Sequence, residues 1–571
     1  MITQSGKKKF ITLKCGSYLI YMYKKEPDET RLIFSRDIFK KKVPKDHLLY
    51  RIDQEIDFSF IDEMCKDIYS PDKGRPVENY PEMMFRAQLV QRLYNLTERQ
   101  LANAVNENIV YTWFIGYDIY DQTFHWTSPG KFRFALGEER HKEIFDRIIE
   151  QLIDKGLIGK TENQSIDATH IIGDIAIPTT IGIIKQAMKN ALLTIQRRAN
   201  TLMPNLKKEI DVEYYITKKG KKEYKMTDEE KQSTLNQVVA DALKVIWTIE
   251  LALEVGELTL KPKHEEQLKD AVIAIKKILG DYIEETPYDE NDESSGFGPI
   301  KRKKPKIKKK YAKRKSKGKD RLVSTVDKDV RWGAKSEEKV FAGYKAHSTM
   351  TDNGFVTNIE VTPGNVSDES MAERMTKHQK ERHGLKPKKM RGDGIYGTID
   401  NRKVFNGMGI QLVAPENTSH NKEQFPRSKF KLDAEKGSLT CPAGKVTTKH
   451  YINENTKNIS YYFSVLQCRP CHLKKQCTKS LFRSVYFNED IMIQEEAIKY
   501  NSTEGYKEDM KMRAHIEPKQ AEMKRFHGLS RAIYRGLKRV NIQAIYTAIV
   551  VNLKRMVTVM DSVSHQTKAF G

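Results

Sequence analysis

Three acidic residues that stand far apart in the chain could together bind divalent metal ions. Asp167 lies in the segment SIDAT, Asp393 in RGDGIYG and Glu517 in RAHIEPKQAEMK. Carboxylate oxygens are the hard ligands that Mg²⁺ prefers, and bound Mg²⁺ keeps open positions for phosphate groups. Taken alone, Asp167 is better explained as a cap at the end of a strand. Jointly, two aspartates and a glutamate predict a two-metal centre for phosphoryl transfer.

Two cations bracket the glutamate. On a helix, Arg513, Glu517 and Lys524 lie at relative angles of about 0°, 40° and 20°, so they share one stripe. Pro518 follows Glu517 directly, and a proline in a helix interior costs about 3 kcal/mol. One hypothesis is that a bend at this point aims Glu517 at the metal ions. The alternative is that a second helix starts at Pro518 and the charges form a solvated face.

Four cysteines form the most specific local pattern in the sequence. Cys441 is followed by Cys468, Cys471 and Cys477, within a Lys-rich segment that has few apolar residues. Four thiolates suit a tetrahedral structural Zn²⁺ site, which would supply folding energy to such a segment. Free thiols are the alternative. Cys15 and Cys65 are isolated, and we interpret them as packing residues.

A literal G-x-G-x-x-G pattern occurs at Gly392, Gly394 and Gly397. A dinucleotide site is disfavoured, because Asp393 would place a carboxylate inside the loop that must cradle a pyrophosphate. We expect instead that the glycines let the chain turn tightly and expose Asp393 at the end of a strand.

The segments around these residues predict a mixed α/β layer fold. SIDAT reads as a strand, and two further strands form a hairpin around Asn353-Gly354, a pair typical of tight turns. Further upstream, two amphipathic helices meet near Asn95, and the second begins with a capping box at Thr97. This pair predicts either a helix-turn-helix or an ordinary helical hairpin. The following segment supplies two candidate phosphate contacts, Lys131 and Arg133.

The composition favours a polyanionic partner. The 571-residue chain carries a net charge of +24, and the tract at 301–319 alone holds 13 Lys or Arg residues. Nucleic acid is the commonest polyanion that such a protein binds, although a solubilising role for the tract is the alternative. The sequence contains no apolar run of membrane-spanning length and no signal-peptide pattern at its start, so we expect no membrane association and a cytoplasmic, nucleoid-associated protein.

The order of these motifs resembles the DDE transposases of bacterial insertion sequences, in the group whose third carboxylate lies in a Y-x2-R-x3-E-x6-K box. Arg513, Glu517 and Lys524 fit the last three elements of the box, whereas Met510 stands at the position of the tyrosine. The resemblance covers most of the chain, from the helical segment YPEMMFRAQLVQRLYNLTERQLANAV to the closing GLSRAIYRGLKRVNIQAIYTAIVVNLKRM. Some members also carry E-P at the third carboxylate and a four-cysteine insertion before it.

The resemblance implies an RNase H-like core that cleaves DNA strands at the element ends and joins the freed 3′-hydroxyl to target DNA. It implies that Asp167, Asp393 and Glu517 bind two Mg²⁺ or Mn²⁺ ions, and that Arg513 and Lys524 contact DNA phosphates. It further implies double-stranded DNA partners, namely terminal inverted repeats and target DNA, and a homodimer on DNA. A non-catalytic DNA-binding protein and a nuclease without strand transfer are the competing hypotheses.

These inferences divide the chain into seven expected parts. They are a β-like N-terminal segment (1–75), a helical DNA-binding domain (76–158), an RNase H-like catalytic core (159–180, 335–420 and 495–558), a helical insertion (181–280), a charged linker (281–334), a zinc-binding cysteine insertion (421–494) and a C-terminal tail (559–571).

Overall fold

The computed structural model describes most of the chain. The described residues are 29–68, 79–217, 223–256, 258, 260–286, 310–314, 318–334, 338–415, 425, 427–433, 435–454, 458–488 and 491–569. The two β-like pieces expected near the N-terminus, KFITLK and YLIYMYKK, lie outside these residues, as does most of the basic tract.

The N-terminal part of the described chain is helical. Its helices are α1 (Glu29–Lys42), α2 (Leu48–Glu55), α3 (Phe60–Met64), α4 (Pro81–Leu93), α5 (Glu98–Glu107), α6 (Ile109–Ile115) and α7 (Ser128–Asp154). The expectation of a β-like segment over 1–75 is therefore wrong for residues 29–68. Apolar side chains at Leu49, Ile52 and Ile61 pack these helices into the main core, which short isolated strands could not have done.

The capping box predicted at the start of α5 is confirmed. The Thr97 side chain accepts a hydrogen bond from the Gln100 backbone N–H, and the Gln100 side chain accepts one from the Thr97 N–H. The turn between α4 and α5 contains Asn95, whose φ is +51°. Buried residues of α4 and α5 belong to the same hydrophobic core as the central sheet, so this helical region is not packed as a separate unit.

A helical segment follows the first strand. The strand is β1 (Gln164–Ile172), and the segment comprises α8 (Thr180–Arg198), α9 (Met203–Glu209), α10 (Val212–Ile216), α11 (Asp228–Glu254) and α12 (Pro262–Tyr282). These helices have a hydrophobic core of their own, formed mainly by α8, α11 and α12. A capping box at Thr227 and Glu230 starts α11.

Parts of the expected charged linker are structured. Strand β2 (Ile283–Thr286) pairs with strand β3 (Lys310–Lys313) in antiparallel fashion. Further along, Val323 and Val330 are buried in the main core, and the buried Asp327 accepts a hydrogen bond from the Tyr344 hydroxyl. The charged linker expected over 281–334 therefore contains paired strands and residues of the main core. Residues 287–309 and 315–317 lie outside the described chain.

The central sheet combines antiparallel and parallel strands. Its remaining elements are β4 (Arg331–Ala334), β5 (Val340–Thr351), β6 (Val356–Pro363), α13 (Glu369–His383), β7 (Lys389–Arg391), α14 (Ile399–Met408) and β8 (Gln411–Val413). The strand order is β4-β5-β1-β7-β8, and β6 also pairs with β5. Strand β1 runs antiparallel to β5 and parallel to β7, which in turn runs parallel to β8. The predicted hairpin is confirmed as β5 and β6, with Gly354 at φ +84° in the turn.

The cysteine-rich region forms two small antiparallel sheets. Its elements are β9 (Lys431–Asp433), β10 (Ser438–Thr440), β11 (Val446–Thr447), β12 (His450–Asn453), β13 (Asn458–Tyr462), α15 (Val465–Cys468), α16 (Lys474–Cys477) and β14 (Ser484–Asn488). Its small core consists largely of aromatic side chains, among them Phe430, Tyr461 and Phe487.

Four helices close the structure. They are α17 (Ile491–Asn501), α18 (Glu504–Ala514), α19 (Ile516–Arg525) and α20 (Leu537–Ala569). Helix α20 packs on β6 and on α4 and α7, so it joins the N-terminal helices to the sheet. The Asn552 side chain binds both the N–H and the carbonyl of Val356, and Asn541 accepts from the Val361 N–H. These side chains satisfy backbone groups on the outer side of β6 that would otherwise form an exposed sheet edge.

Candidate active site

Asp167 lies near the middle of the central strand of the sheet. Ile166 faces the apolar layer under α13 and α14, and the alternation of a strand turns Asp167 to the opposite face. Only 15% of the Asp167 side chain is exposed. Its Oδ1 accepts a hydrogen bond of 2.8 Å from the Ala168 N–H. The strand thus holds a mostly desolvated carboxylate at a fixed position.

Asp393 follows β7, the parallel neighbour of β1. Ser165 of β1 lies opposite Arg391 in the parallel pairing, so the chain that leaves β7 carries this acid toward Asp167. Its Oδ1 accepts from the Ile395 N–H at 3.0 Å, which fixes the turn. A Cβ at Gly392 would lie 2.8 Å from the Tyr396 side chain, and one at Gly397 would lie 2.4 Å from the Pro415 carbonyl oxygen. Close packing therefore accounts for both of these glycines.

Glu517 occupies the second position of α19. Helix α18 ends at Ala514, and His515 separates the two helices. Pro518 is thus the third residue of α19, where the backbone N–H has no intrahelical partner, so the proline removes no helix hydrogen bond. The break lies before Glu517, so a second helix does begin here, as the alternative held, but at Ile516 rather than at Pro518. Because 61% of the Glu517 side chain is exposed, it has room to move.

The charges of the three acids act on one another. Burial raises the pKa of Asp167 to about 6, the Ala168 hydrogen bond and Arg513 oppose that rise, and the charges of Asp393 and Glu517 add to it. Arg513 lies between two of the acids, with Nη2 at 3.9 Å from Asp167 Oδ2 and Nη1 at 3.5 Å from Glu517 Oε1. Arg513 therefore links Asp167 and Glu517, and the charge of Asp393 also reaches Asp167.

Lys524 lies on the same side of β1. Its Nζ donates a 3.2 Å hydrogen bond to Thr169 Oγ1, and the His170 ring lies 3.4 Å away. Thr169 is two residues beyond Asp167, so the two side chains share one face of the strand. Arg513 lies on α18, whereas Glu517 and Lys524 lie on α19. Both helices contact β1.

Two buried polar atoms near the acids make no hydrogen bond within the described part of the chain. They are Arg513 Nε and the Tyr396 hydroxyl oxygen. Burial raises the pKa of Tyr396 well above its ordinary value, and the charges of Asp368, Asp167 and Asp393 contribute. The carboxylate set has the hard oxygen chemistry of a divalent cation site. As placed, however, no three His, Cys, Asp or Glu side chains of the described residues stand close enough to hold a metal ion.

Sequence reasoning missed the ion-pair network that joins β7 to α18. The buried Asp509 accepts hydrogen bonds of 2.8 Å from Lys389 and from Arg391, and it also accepts one from the Tyr500 hydroxyl. Arg391 binds Asp352 as well. The signal was the charged strand KPKKMR, which is unusual at the centre of a sheet. Asp509 supplies the missing counter-charge and fixes the helix that carries Arg513 against the strand that leads to Asp393.

The two N-terminal candidates for DNA contact differ. Lys131 is exposed. Arg133 is only 1% exposed, and it donates to Gln88 and Glu98 and lies 4.5 Å from the centre of the Tyr534 ring. The prediction that Arg133 touches phosphates is therefore wrong in this structure, because its guanidinium serves the packing between α4, α5 and the closing segment.

The four clustered cysteines line one small cavity. Burial raises the pKa of the Cys477 thiol, Arg483 opposes this, and the charges of Cys468, Cys441 and Cys471 add to the rise. The thiols are thus close enough to influence one another, although they do not stand in a coordination shell among the described residues. The isolated Cys65 is buried in the main core.

Within the described residues, no helix is both long enough and apolar enough to cross a membrane.

Two parts of the chain match known protein families. Residues 37–134 match the family described as Transposase domain (DUF772), and residues 440–557 match the family described as Transposase DDE domain. Comparisons with curated proteins and with solved structures gave no match. The first match covers the helices from α2 to the start of α7, and the second covers Glu517, Arg513, Lys524 and the four cysteines. The two matches together support the assignment of this chain as a DDE transposase of an insertion sequence.

Proposed function

We propose that the protein cleaves DNA at the ends of its insertion sequence in a Mg²⁺-dependent reaction and transfers the freed 3′-hydroxyl into target DNA. The observation that supports the proposal is the mutual influence of Asp167, Asp393 and Glu517, since the charges of Asp393 and Glu517 both act on the Asp167 carboxyl. The strand order β6-β5-β1-β7-β8, with two antiparallel and two parallel pairings, supports an RNase H-like core. The DDE domain match supports the same core.

Asp167, Asp393 and Glu517 would hold two Mg²⁺ or Mn²⁺ ions. When bound, such ions activate the attacking oxygen and stabilise the leaving oxygen of a phosphoryl transfer. The exposed Glu517 side chain can change its rotamer at little cost, whereas β1 fixes Asp167. Arg513 offsets the repulsion among the carboxylates before metal enters, because its guanidinium faces both Asp167 and Glu517.

Arg513 and Lys524 are the proposed contacts to the DNA backbone. Both are half-buried cations beside the acids, so a phosphate at the metal site would lie within their reach. Lys131 remains a proposed phosphate contact on the N-terminal helices because it is exposed. Each cation that neutralises a phosphate contributes about one to the slope of log affinity against log salt. Replacing Lys131 by Ala is expected to lower that slope without changing cleavage of bound DNA.

The test of the function uses double-stranded DNA with the terminal inverted repeats of the element and a supercoiled target plasmid. The wild-type protein is expected to nick the repeat ends in Mg²⁺ or Mn²⁺ but not in EDTA, and to join the 3′-ends to the plasmid. Asp167→Asn, Asp393→Asn and Glu517→Gln should each bind the ends and fail to nick them. The matched control is Asp270→Asn, because Asp270 is an exposed acid on α12, and it should be fully active.

The outcomes separate the competing functions. Nicking without joining would identify a nuclease that lacks strand transfer. Sequence-specific binding with no nicking under any divalent metal would leave a DNA-binding protein and refute the catalytic proposal. Co-sedimentation of two chains with paired ends would support the proposed homodimer on DNA.

We also propose that Cys441, Cys468, Cys471 and Cys477 bind one structural Zn²⁺ ion. The convergence of four thiols on one cavity supports this, and the region has only a small aromatic core to fold around. Elemental analysis should find about one zinc per chain, lost in Cys471→Ser but retained in Cys65→Ala. The hypothesis fails if the zinc-free protein keeps its secondary structure and all four thiols react freely in the native state.

A further inference from the structure

Helix α11 carries an apolar stripe on the face that it turns away from its own core. The stripe consists of Leu243, Trp247, Leu251 and Val255, all exposed, and Trp247 is 64% exposed. Val238, Val245 and Ile249 on the other face of the helix are buried in the core of the helical segment. Single exposed apolar residues are normal on a protein surface, but a contiguous row that includes a tryptophan indicates an interaction surface.

We infer that this stripe binds the same stripe of a second copy of the chain. Its residues are four positions apart, so they form one of the ridges by which two helices interdigitate. The row is symmetric about position 249. An antiparallel pairing centred there sets Leu243 against Val255 of the second copy and Trp247 against Leu251. Self-complementarity of this kind is the requirement for an interface around a two-fold axis.

The charges beside the stripe obey the same symmetry. Lys244 and Glu254 are both exposed and lie at equal distances from position 249. The antiparallel pairing therefore brings Lys244 of each copy to Glu254 of the other, whereas a parallel pairing would place like charges together. Within one copy, the Lys244 Nζ donates to the Glu209 carbonyl oxygen at 2.9 Å and lies 3.8 Å from the exposed Glu209 carboxylate. Charge complementarity thus favours a second copy of the chain as the partner that covers the stripe, with the two α11 helices antiparallel.

The inference is independent of the catalytic proposal, because the surface lies on the helical segment and the test needs neither DNA nor metal. The full-length protein is expected to sediment as a dimer that dissociates on dilution. Trp247→Glu should raise the dissociation constant by about 30-fold or more, because it places a charge at the centre of the interface. The matched control Val326→Glu changes an exposed apolar residue outside the stripe and should leave the dimer intact.

A charge exchange tests the orientation. Lys244→Glu and Glu254→Lys should each weaken the dimer by up to about fivefold, and the double variant should recover most of the loss. Recovery would also show that the single variants are folded. A protein that stays monomeric at every concentration would overturn the inference. So would a dimer indifferent to Trp247→Glu, or a monomer whose stripe is protected from hydrogen exchange by another segment of its own chain.

Discussion

The raised pKa of Asp167 predicts that the acid at the centre of the site destabilises the metal-free protein at neutral pH. The pKa rises from 3.8 to about 6, and the side chain is mostly buried, so the charged form is disfavoured in the folded state. One pKa unit corresponds to about 1.4 kcal/mol, which gives a cost on the order of 3 kcal/mol once the group is ionised. Asp167→Asn removes this cost, since the amide does not titrate.

The sign of the pH dependence follows from linkage. A carboxyl whose folded pKa is raised contributes its full stability below the unfolded value, and this contribution is lost as the pH rises through the folded value. The stability of Asp167→Asn relative to the wild type should therefore increase by on the order of 3 kcal/mol between about pH 4 and about pH 7, then remain level.

Urea unfolding in EDTA at several pH values measures this difference, with Asp270→Asn as the control for loss of an exposed charge. Saturating Mg²⁺ should stabilise the wild type at neutral pH and leave Asp167→Asn unchanged, because a ligand that binds only the folded state adds to its stability. A wild type that gains stability relative to the variant as the pH rises would refute the reasoning. It would show that Arg513 stabilises the carboxylate more than burial penalises it.

Three further predictions concern the residues that position the site. Asp509→Ala should lower the free energy of unfolding by about 3 kcal/mol, against about 0.5 kcal/mol or less for the exposed neighbour in Glu508→Ala, because it removes the buried carboxylate that Arg391 and Lys389 share and leaves Arg391 with Asp352 alone. Hydrogen bonds from Lys389, the Tyr500 hydroxyl and Arg391 outweigh the effect of burial and lower the Asp509 pKa, so its contribution should disappear as the pH falls below the ordinary carboxyl range. Pro518→Ala should change the stability by less than about 1 kcal/mol and leave DNA nicking normal, since Pro518 lies in the first turn of its helix; a loss of nicking would restore the hypothesis that the proline aims Glu517. Tyr396→Phe should not reduce the stability of the metal-free protein, because the hydroxyl is buried without a partner among the residues that the structure describes, and a loss above about 1 kcal/mol in thermal or urea unfolding would reveal a hydrogen bond to it.

The sequence alone singled out the candidate site residues and predicted how some local elements begin. Residue type and spacing were enough for the capping box at Thr97 and for the Asn-Gly hairpin, because each of these depends on a few neighbouring residues, whereas the single stripe expected for Arg513 and Lys524 is divided between α18 and α19. The same local reasoning gave a G-x-G-x-x-G motif, two of whose glycines the structure explains by close packing, Gly392 against Tyr396 and Gly397 against the Pro415 carbonyl oxygen.

Only the tertiary structure decided what those residues contact. Arg133 and Lys131 are two positions apart and equally basic, yet one is buried against Gln88 and Glu98 and the other is exposed. The cations of the strand before Asp393 pair with Asp509, which lies more than a hundred residues away in the sequence. The helical insertion places Trp247 on a surface rather than in a core. Burial, exposure and long-range ion pairing depend on which segments pack together in the folded chain. A local sequence pattern does not specify which distant segment packs against it.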